Sequence, residues 1–379
     1  MTAKPILLAF ITSYFPDVGG AEVALRQIAE RLSPEFEFLI VTSRRRAASP
    51  RHEVAGTGPI WRLGLGSRID KWLLPAMLAP VRRRLADERA RGRQVLLWGV
   101  DITQASLAAS LLRRLDRQVP FVLTIQYGEG LERVARGRAG WIGRSFRFML
   151  SQSDRVTAIS SPLLEMARAY GYRGPAAVIP NGVDLKRFRP VAGKPETSIP
   201  RLITVSRLVP KNAIDVLIRA VRLVAKEHPG LECRVLGDGP GRARLERLAL
   251  ELGVQDVVRF EGTVPHDEVA RHLGECRIFV RPSRSEGMGN AFVEAMAAGL
   301  PVVGTAVGGL TDSLRDGETG LLAKVDDPED LAAKIGLLLT NRGLAERLAR
   351  QGQAWVREHC DLEATARAYA AVFHETLRR

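Results

Sequence analysis

The sequence predicts an α/β protein built from two doubly wound parallel-sheet domains. Three observations carry that reading. Short apolar runs alternate with amphipathic segments along the chain, which is the pattern of buried strands between covering helices. Two such sets follow one another, and 379 residues exceed one ordinary core. Between the sets, Arg189–Pro200 carries Pro190, Gly193, Pro195 and Pro200, which break any regular element.

In the first half the strands read Ile6–Ile11, Phe36–Thr42, Val95–Val100, Phe121–Ile125, Val156–Ile159 and Ala177–Ile179. After Gly19-Gly20, the residues Ala21, Ala24, Leu25, Ile28 and Leu32 keep the spacing of a helix with one buried face. In the second half the strands read Leu202–Ser206, Cys233–Leu236, Val257–Phe260, Ile278–Val280, Pro301–Val303 and Gly320–Ala323, with a helix over Asn212–Val221. Asp327-Pro328 places an N-cap before a proline at the first helical position. The tail then reads as helical, with a break near Cys360-Asp361. Domains of 1–190 and 191–360 follow, with ligands expected at strand carboxyl ends and in a central cleft between the domains.

Composition excludes several classes. Hydrophobic residues make up 46% and charged residues 26%, an ordinary globular balance without a membrane-length apolar stretch. The Ile6–Ile11 run has only Lys4 before it and no small-residue cleavage pattern after it, so it reads as a strand rather than a signal peptide. Cys233, Cys276 and Cys360 are odd in number and far apart, which suits buried thiols in a reducing, cytoplasmic compartment. The histidines lack metal-ligand spacing, and His266 and His272 read as solvated; no metal is called for. The net charge of +14 is one-sided. Residues 1–190 hold 30 Lys and Arg against 16 Asp and Glu, whereas residues 191–379 balance at 26 each.

The most informative segment is Glu286-Gly-Met-Gly-Asn-Ala-Phe-Val-Glu294, after the strand Ile278–Val280. A glycine loop opening a helix gathers free N–H groups and the positive helix end, and so suits an anionic ligand. Glu294, one turn past Asn290, can reach back toward sugar or ribose hydroxyls, while Glu286 lies in the loop. Arg207 and Lys211 leave a strand end four residues apart, a spacing that suits a clamp on a diphosphate. Gly237-Asp-Gly239 is not a dinucleotide fingerprint, because the third glycine position is Arg242.

This string resembles the Glu-x7-Glu motif of the retaining glycosyltransferases of the GT-B fold, glycosyltransferase family 4 in particular. Val178-Ile-Pro-Asn-Gly-Val-Asp184, Val205-Ser-Arg207-Leu-Val-Pro-Lys211, Leu236-Gly-Asp-Gly-Pro240, Phe260-Glu-Gly-Thr-Val-Pro265 and Tyr14-Phe-Pro-Asp-Val-Gly-Gly-Ala-Glu22 are similar to further segments of that family. The resemblance spans roughly residues 6 to 325. It implies transfer of a sugar from a nucleotide-diphosphate sugar, UDP- or GDP-linked, without other cofactor or metal. It further implies that Arg207, Lys211 and Glu286 serve catalysis. Donor contacts would come from Gly19, Gly20, Gly237, Val264, Gly287, Met288, Gly289, Asn290 and Glu294 as well, with Glu286 on the sugar and Glu294 on the ribose. The helix over 362–377 is expected to return to the first domain, as in that family.

Two departures stand out. Asn212 follows Lys211 where relatives often have glycine, and Gln126 stands where many carry histidine. Gln126, Tyr127 and Glu129 are the acceptor-side candidates, and Gln126 cannot change charge near neutral pH. A non-catalytic nucleotide-sugar-binding subunit and a GT-B epimerase are the alternatives. The basic knots Arg44–Arg46, Arg82–Arg84 and Arg113-Arg114, with the aromatic segments Trp72–Met77 and Trp141–Leu150, suit a lipid-linked or glycan acceptor. They also suit docking on an anionic membrane from the cytoplasmic side. No nucleic-acid reading motif accompanies the charge, so no nucleic-acid partner is expected.

Overall fold

The computed structural model describes residues 3–17, 19–129, 134, 137, 140–190 and 200–378. The chain forms two compact units, Met1–Gly182 with Leu362–Arg379, and Val183–Asp361.

The first unit is built on an eight-stranded sheet in the order β3-β4-β2-β1-β5-β6-β7-β8. Its strands are β1 (Ile6–Phe10), β2 (Glu37–Ser43), β3 (His52–Ala55), β4 (Gly58–Leu63), β5 (Val95–Val100), β6 (Phe121–Ile125), β7 (Arg155–Ala158) and β8 (Ala176–Val178). β1, β5 and β6 are buried at every residue, as strands covered on both faces must be. β3 and β4 correct the all-parallel expectation, because β3 pairs antiparallel with β4 while β4 runs parallel to β2. Nothing in the hydrophobic pattern announces them. β3 is exposed or half-exposed along its length, and β4 carries Pro59 and Arg62 among its apolar residues. Gly58 turns the hairpin at φ +115°, where a Cβ would collide with the Phe38 carbonyl.

The helix Leu362–Leu377 closes this unit. Tyr369 and Phe373 lie against Trp98 with ring centroids 5.4 and 5.0 Å away, and Phe373 also meets Phe36 at 5.8 Å. Beneath them the Trp98 indole donates to Thr124 Oγ1 at 2.8 Å, and Thr124 shares a 2.7 Å hydrogen bond with Thr157. Elsewhere in the unit Glu88, fully buried, accepts Arg84, Arg91 and Arg93 within 3.2 Å.

The second unit is a six-stranded, wholly parallel sheet in the order β11-β10-β9-β12-β13-β14. Here β9 is Arg201–Val205, β10 Glu232–Leu236, β11 Val258–Gly262, β12 Ile278–Val280, β13 Val302–Thr305 and β14 Leu321–Ala323. Leu217 and Val221 of the helix Ile214–Glu227 share a core with Leu331 and Ile335 of the helix Pro328–Thr340. Asp327 caps the latter, accepting the Asp330 N–H at 2.8 Å.

The chain enters the second unit at Val183, ahead of the proline- and glycine-rich stretch. The reason is packing. Phe188 is 1% exposed and its ring lies 5.6 Å from that of His266, and Pro190 faces Gly299, all within the second unit. Residues 191–199 lie outside the described residues. At the return crossing the Val183 N–H donates to the Cys360 carbonyl at 2.7 Å.

Phe373→Ala is expected to destabilise the first unit by about 3–5 kcal/mol, as truncating a fully buried aromatic does. Urea unfolding followed by tryptophan fluorescence, to which the first unit contributes Trp61, Trp72, Trp98 and Trp141, should show the loss.

Candidate functional site

In the second unit, strand order reverses between β9 and β12, so the loops after these two strands part and leave a crevice at their carboxyl ends. The sequence-predicted residues Arg207, Lys211, Glu286, Gly287, Met288, Gly289 and Asn290 all lie on those two loops or at the helix start that follows.

Glu286 is held from its own strand end. Arg281 Nη2 donates to Glu286 Oε1 at 2.5 Å, and Ser283 Oγ donates to the same oxygen at 2.8 Å. Arg281 is 7% exposed, donates to the Val205 carbonyl at 2.9 Å, and stacks over the Phe292 ring at 5.0 Å. Gly289, at φ +81°, turns the chain into the helix Asn290–Ala297. Met288 is buried, at 3% exposure. Gly308 packs so closely on the Glu286 carbonyl that any side chain would collide with it, and the Gly309 N–H donates to that carbonyl at 3.1 Å.

The loop after β9 departs from the continuous helix expected over Asn212–Val221. A 3₁₀ turn spans Pro210–Asn212, Ala213 adopts φ +52°, and the helix runs Ile214–Glu227. Asn212 explains itself here: its amide donates to the Arg207 carbonyl at 2.7 Å and so closes the turn between the two cations. Arg207 is exposed and Lys211 half-exposed. A residue that the sequence did not single out joins the loops. Arg284 makes two hydrogen bonds to Asp215, at 2.9 and 3.1 Å, and further bonds to Asp326 and the Pro210 carbonyl at 2.6 Å each. Its own N–H donates to the Lys211 carbonyl at 2.7 Å.

Glu294 lies in the helix Asn290–Ala297, and His266 corrects its solvated reading. Its Nε2 is 2.8 Å from Glu294 Oε1, with side-chain exposures of 27% and 13%. Gly237 leaves β10 at φ +124°, where a Cβ would strike the Ser206 carbonyl, and Val264 is half-exposed after β11.

In the first unit the reversal lies between β1 and β5. Gly19 caps the helix Gly20–Leu32, and Glu22 in its first turn accepts from Ser13 Oγ at 2.6 Å. Arginines of the basic knot Arg44–Arg46, together with Arg62 outside it, hold this glycine loop. Arg45 and Arg46 bond Asp17 at 3.4 and 2.5 Å, and the buried Arg62 donates to the Phe15 carbonyl at 2.9 Å. Asp101, after β5, takes φ +67° and is a second residue that sequence reasoning passed over. Gln126 leaves β6 and accepts from the Asn181 amide at 3.2 Å, while its own Nε2 is buried with no hydrogen-bond partner. Tyr127 and Glu129 follow, both half-exposed.

Among the described residues no group of three or more His, Cys, Asp or Glu is placed to hold a metal ion. The three cysteines are free and buried; burial pushes the thiols of Cys233 and Cys360 up to about 12, which leaves them unreactive.

The family profile described as Glycosyl transferases group 1 matches residues 186–355, and that of Glycosyltransferase Family 4 matches residues 18–187. A D-inositol 3-phosphate glycosyltransferase of Nocardia farcinica is 30% identical over 371 residues, covering 89% of this chain and 80% of that protein. Its namesake in Streptomyces bingchenggensis is 35% identical over 234 residues, and there the match spans only about half of the relative, 51% of its length. The solved structure of a sucrose-phosphate synthase from Thermosynechococcus elongatus matches with a TM-score of 0.83 and 23% identity, over 98% of this chain and 99% of that one.

The Arg284–Asp215 pair generates a prediction about acid. Burial pushes the Asp215 carboxyl up, but the hydrogen bonds and charge of Arg284 outweigh it and hold the carboxyl below its ordinary 3.8. A depressed carboxylate contributes stability above its unfolded value and loses it as pH falls through the folded one. Asp215→Asn should therefore destabilise the second unit by about 1–2 kcal/mol near neutrality, and this difference should shrink below about pH 4. Denaturant titrations of both proteins across that range check it.

Proposed function

The chain belongs to glycosyltransferase family 4, group 1, with the GT-B fold, and from that premise we propose that it is a retaining hexosyltransferase. It takes a nucleotide-diphosphate sugar as donor and a hydroxyl as acceptor, with no metal. The observation that carries this reading is the crevice of the second unit. Two carboxylates lie on the loop and helix after β12, each held by a basic side chain, and Arg207 and Lys211 lie on the loop after the adjacent β9.

In this reading Glu294 accepts the ribose hydroxyls and Glu286 those of the donor sugar. Gly237 and Val264 flank the base, and the main chain of Gly287–Asn290 meets the diphosphate at the helix start. The bond from the anomeric carbon to the phosphate oxygen breaks, and a bond to the acceptor oxygen forms on the same face. The acceptor proton passes to the departing phosphate oxygen. Arg207 and Lys211 stabilise the negative charge that the leaving diphosphate gains. On the acceptor side, Gln126, Tyr127 and Glu129 offer neutral and acidic partners for hydroxyls. The names of the curated relatives point to a polyol phosphate as acceptor class.

A lipid-linked acceptor adds a membrane to this reading. Leu65, Ile69, Trp72 and Leu73 are exposed beside Arg68 and Lys71, and Trp141 is 68% exposed at a helix start. The aromatic segments contribute less than their sequence suggests, because Leu74, Phe146, Met149 and Leu150 are buried. Arg84 is committed to Glu88, and Arg113 to Asp154. Docking on the cytoplasmic face would rest on the exposed remainder, including Arg82, Arg83 and Arg114.

Lys211→Ala is expected to lower kcat by about 10²-fold or more while thermal unfolding stays in place; near-normal turnover would remove Lys211 from the diphosphate site. Donor turnover is measured first, with a panel of UDP- and GDP-sugars, by nucleotide release.

Binding to vesicles containing anionic lipid should exceed binding to neutral ones and fall steeply with salt, since screening acts within about 8 Å at physiological ionic strength. Replacing Arg82 and Arg83 by Gln should weaken it without disturbing the Glu88 cluster. Indifference to anionic vesicles at low salt would favour a soluble acceptor.

A further inference from the structure

The two carboxylates of the crevice are anchored by different means. Glu286 is fixed by a buried guanidinium and a serine hydroxyl, whereas Glu294 is held by the His266 imidazole, which reaches it from another element. An ionised carboxylate only accepts, so the 2.8 Å contact requires the proton to be on His266 Nε2.

His266 is itself well placed to act as an anchor. It is the first residue of the helix His266–Gly274 and follows Pro265, so its backbone is set where that helix begins. Its ring lies 5.6 Å from the ring of Phe188, which is 1% exposed. Glu294 has buried neighbours, Val293 and Ala295, that fix its backbone. What remains loose in a glutamate is its side chain, with three rotatable bonds. The imidazole takes up that freedom by engaging Oε1, and it leaves Oε2 to accept from a ligand.

We infer that His266 is a positioning residue for nucleotide binding: it orients the Glu294 carboxylate so that the free oxygen meets the vicinal hydroxyls of the ribose. The inference rests on the reading of Glu294 as the ribose contact. It assigns a role to a side chain 28 residues away in sequence, outside the Glu286–Glu294 segment. His266 does not touch the reacting atoms and acts through Glu294. It therefore changes how tightly the nucleotide is held rather than how fast the glycosidic bond is made.

The test uses the full chain and the bare nucleotides UDP and GDP, titrated calorimetrically. His266→Ala should weaken whichever nucleotide binds the wild type by about tenfold, in the range usual for coupled neighbours. It should also raise the donor KM more than it lowers kcat. His266→Gln, whose amide can donate to Glu294 in place of the imidazole, should restore most of the affinity. Glu294→Ala should weaken the same nucleotide, and the double variant His266→Ala/Glu294→Ala should bind no worse than Glu294→Ala alone. Thermal unfolding of each variant separates loss of binding from loss of fold. If Glu294→Ala weakens binding and His266→Ala does not, or if their losses multiply in the double variant, the positioning role is overturned while the donor site stands. Failure of His266→Gln to recover affinity while unfolding normally also counts against it. If Glu294→Ala leaves nucleotide affinity unchanged, the donor-site reading falls and takes this inference with it.

Discussion

Arg281 joins the parts on which the second unit's crevice depends. Its guanidinium donates to the Val205 carbonyl at the end of β9, donates to Glu286 in the next loop, and covers the ring of Phe292 in the helix beyond. At 7% exposure such a cation is tolerable only with its charge answered, and Glu286 answers it, while Nε is left without a hydrogen-bond partner. The requirement runs both ways. Glu286 must be ionised and must lie where Arg281 can reach it, and that pins the loop before the helix begins. Glycine at 308 follows from the same placement, since the Glu286 carbonyl lies where a side chain would have to go. Arg284 extends the bracing to the neighbouring loop through Asp215 and the carbonyls of Pro210 and Lys211. Loops after β9 and β12 are thus tied together through charged groups, and the loop after β13 joins them through its main chain, the Gly309 N–H donating to the Glu286 carbonyl.

What could be read in the sequence was whatever is local. Strands such as Val95–Val100 or Ile278–Val280 are apolar because both of their faces are covered, and that shows as an uninterrupted run. Glu286, Glu294, Arg207 and Lys211 were legible because each is fixed by a short string around a strand end. Their partners were not. Asp215 meets Arg284 across 69 residues and His266 meets Glu294 across 28, and both pairings exist only because of the order in which strands sit in the sheet. A histidine in a polar segment looks solvated until that order is known. The β3–β4 hairpin was invisible for another reason: at a sheet edge, exposed and crossed by Pro59 and Arg62, it has no need of a continuous apolar pattern.

Charge counting met the same limit in the first unit. The excess of +14 is a sum, and a sum does not say which cations are engaged. Arg84, Arg91 and Arg93 converge on one buried carboxylate, and Arg45 and Arg46 share Asp17. These pairs shape the unit from within. The arginines at 45, 46 and 62 hold the turn that carries Phe15 and Asp17, so part of the apparent surface charge supports the glycine loop at the first helix.

The last helix also sets an order for the birth of the molecule. Trp98 and Phe36 belong to a unit whose covering residues, Tyr369 and Phe373, leave the ribosome only after all of Val183–Asp361. Domains usually fold in the order they are made. Here the contiguous second unit can finish first, while the earlier-made sheet waits with an aromatic face uncovered. That face is where a nascent chain would meet a chaperone, and where translation halted short of residue 373 would leave a sticky, unfinished product.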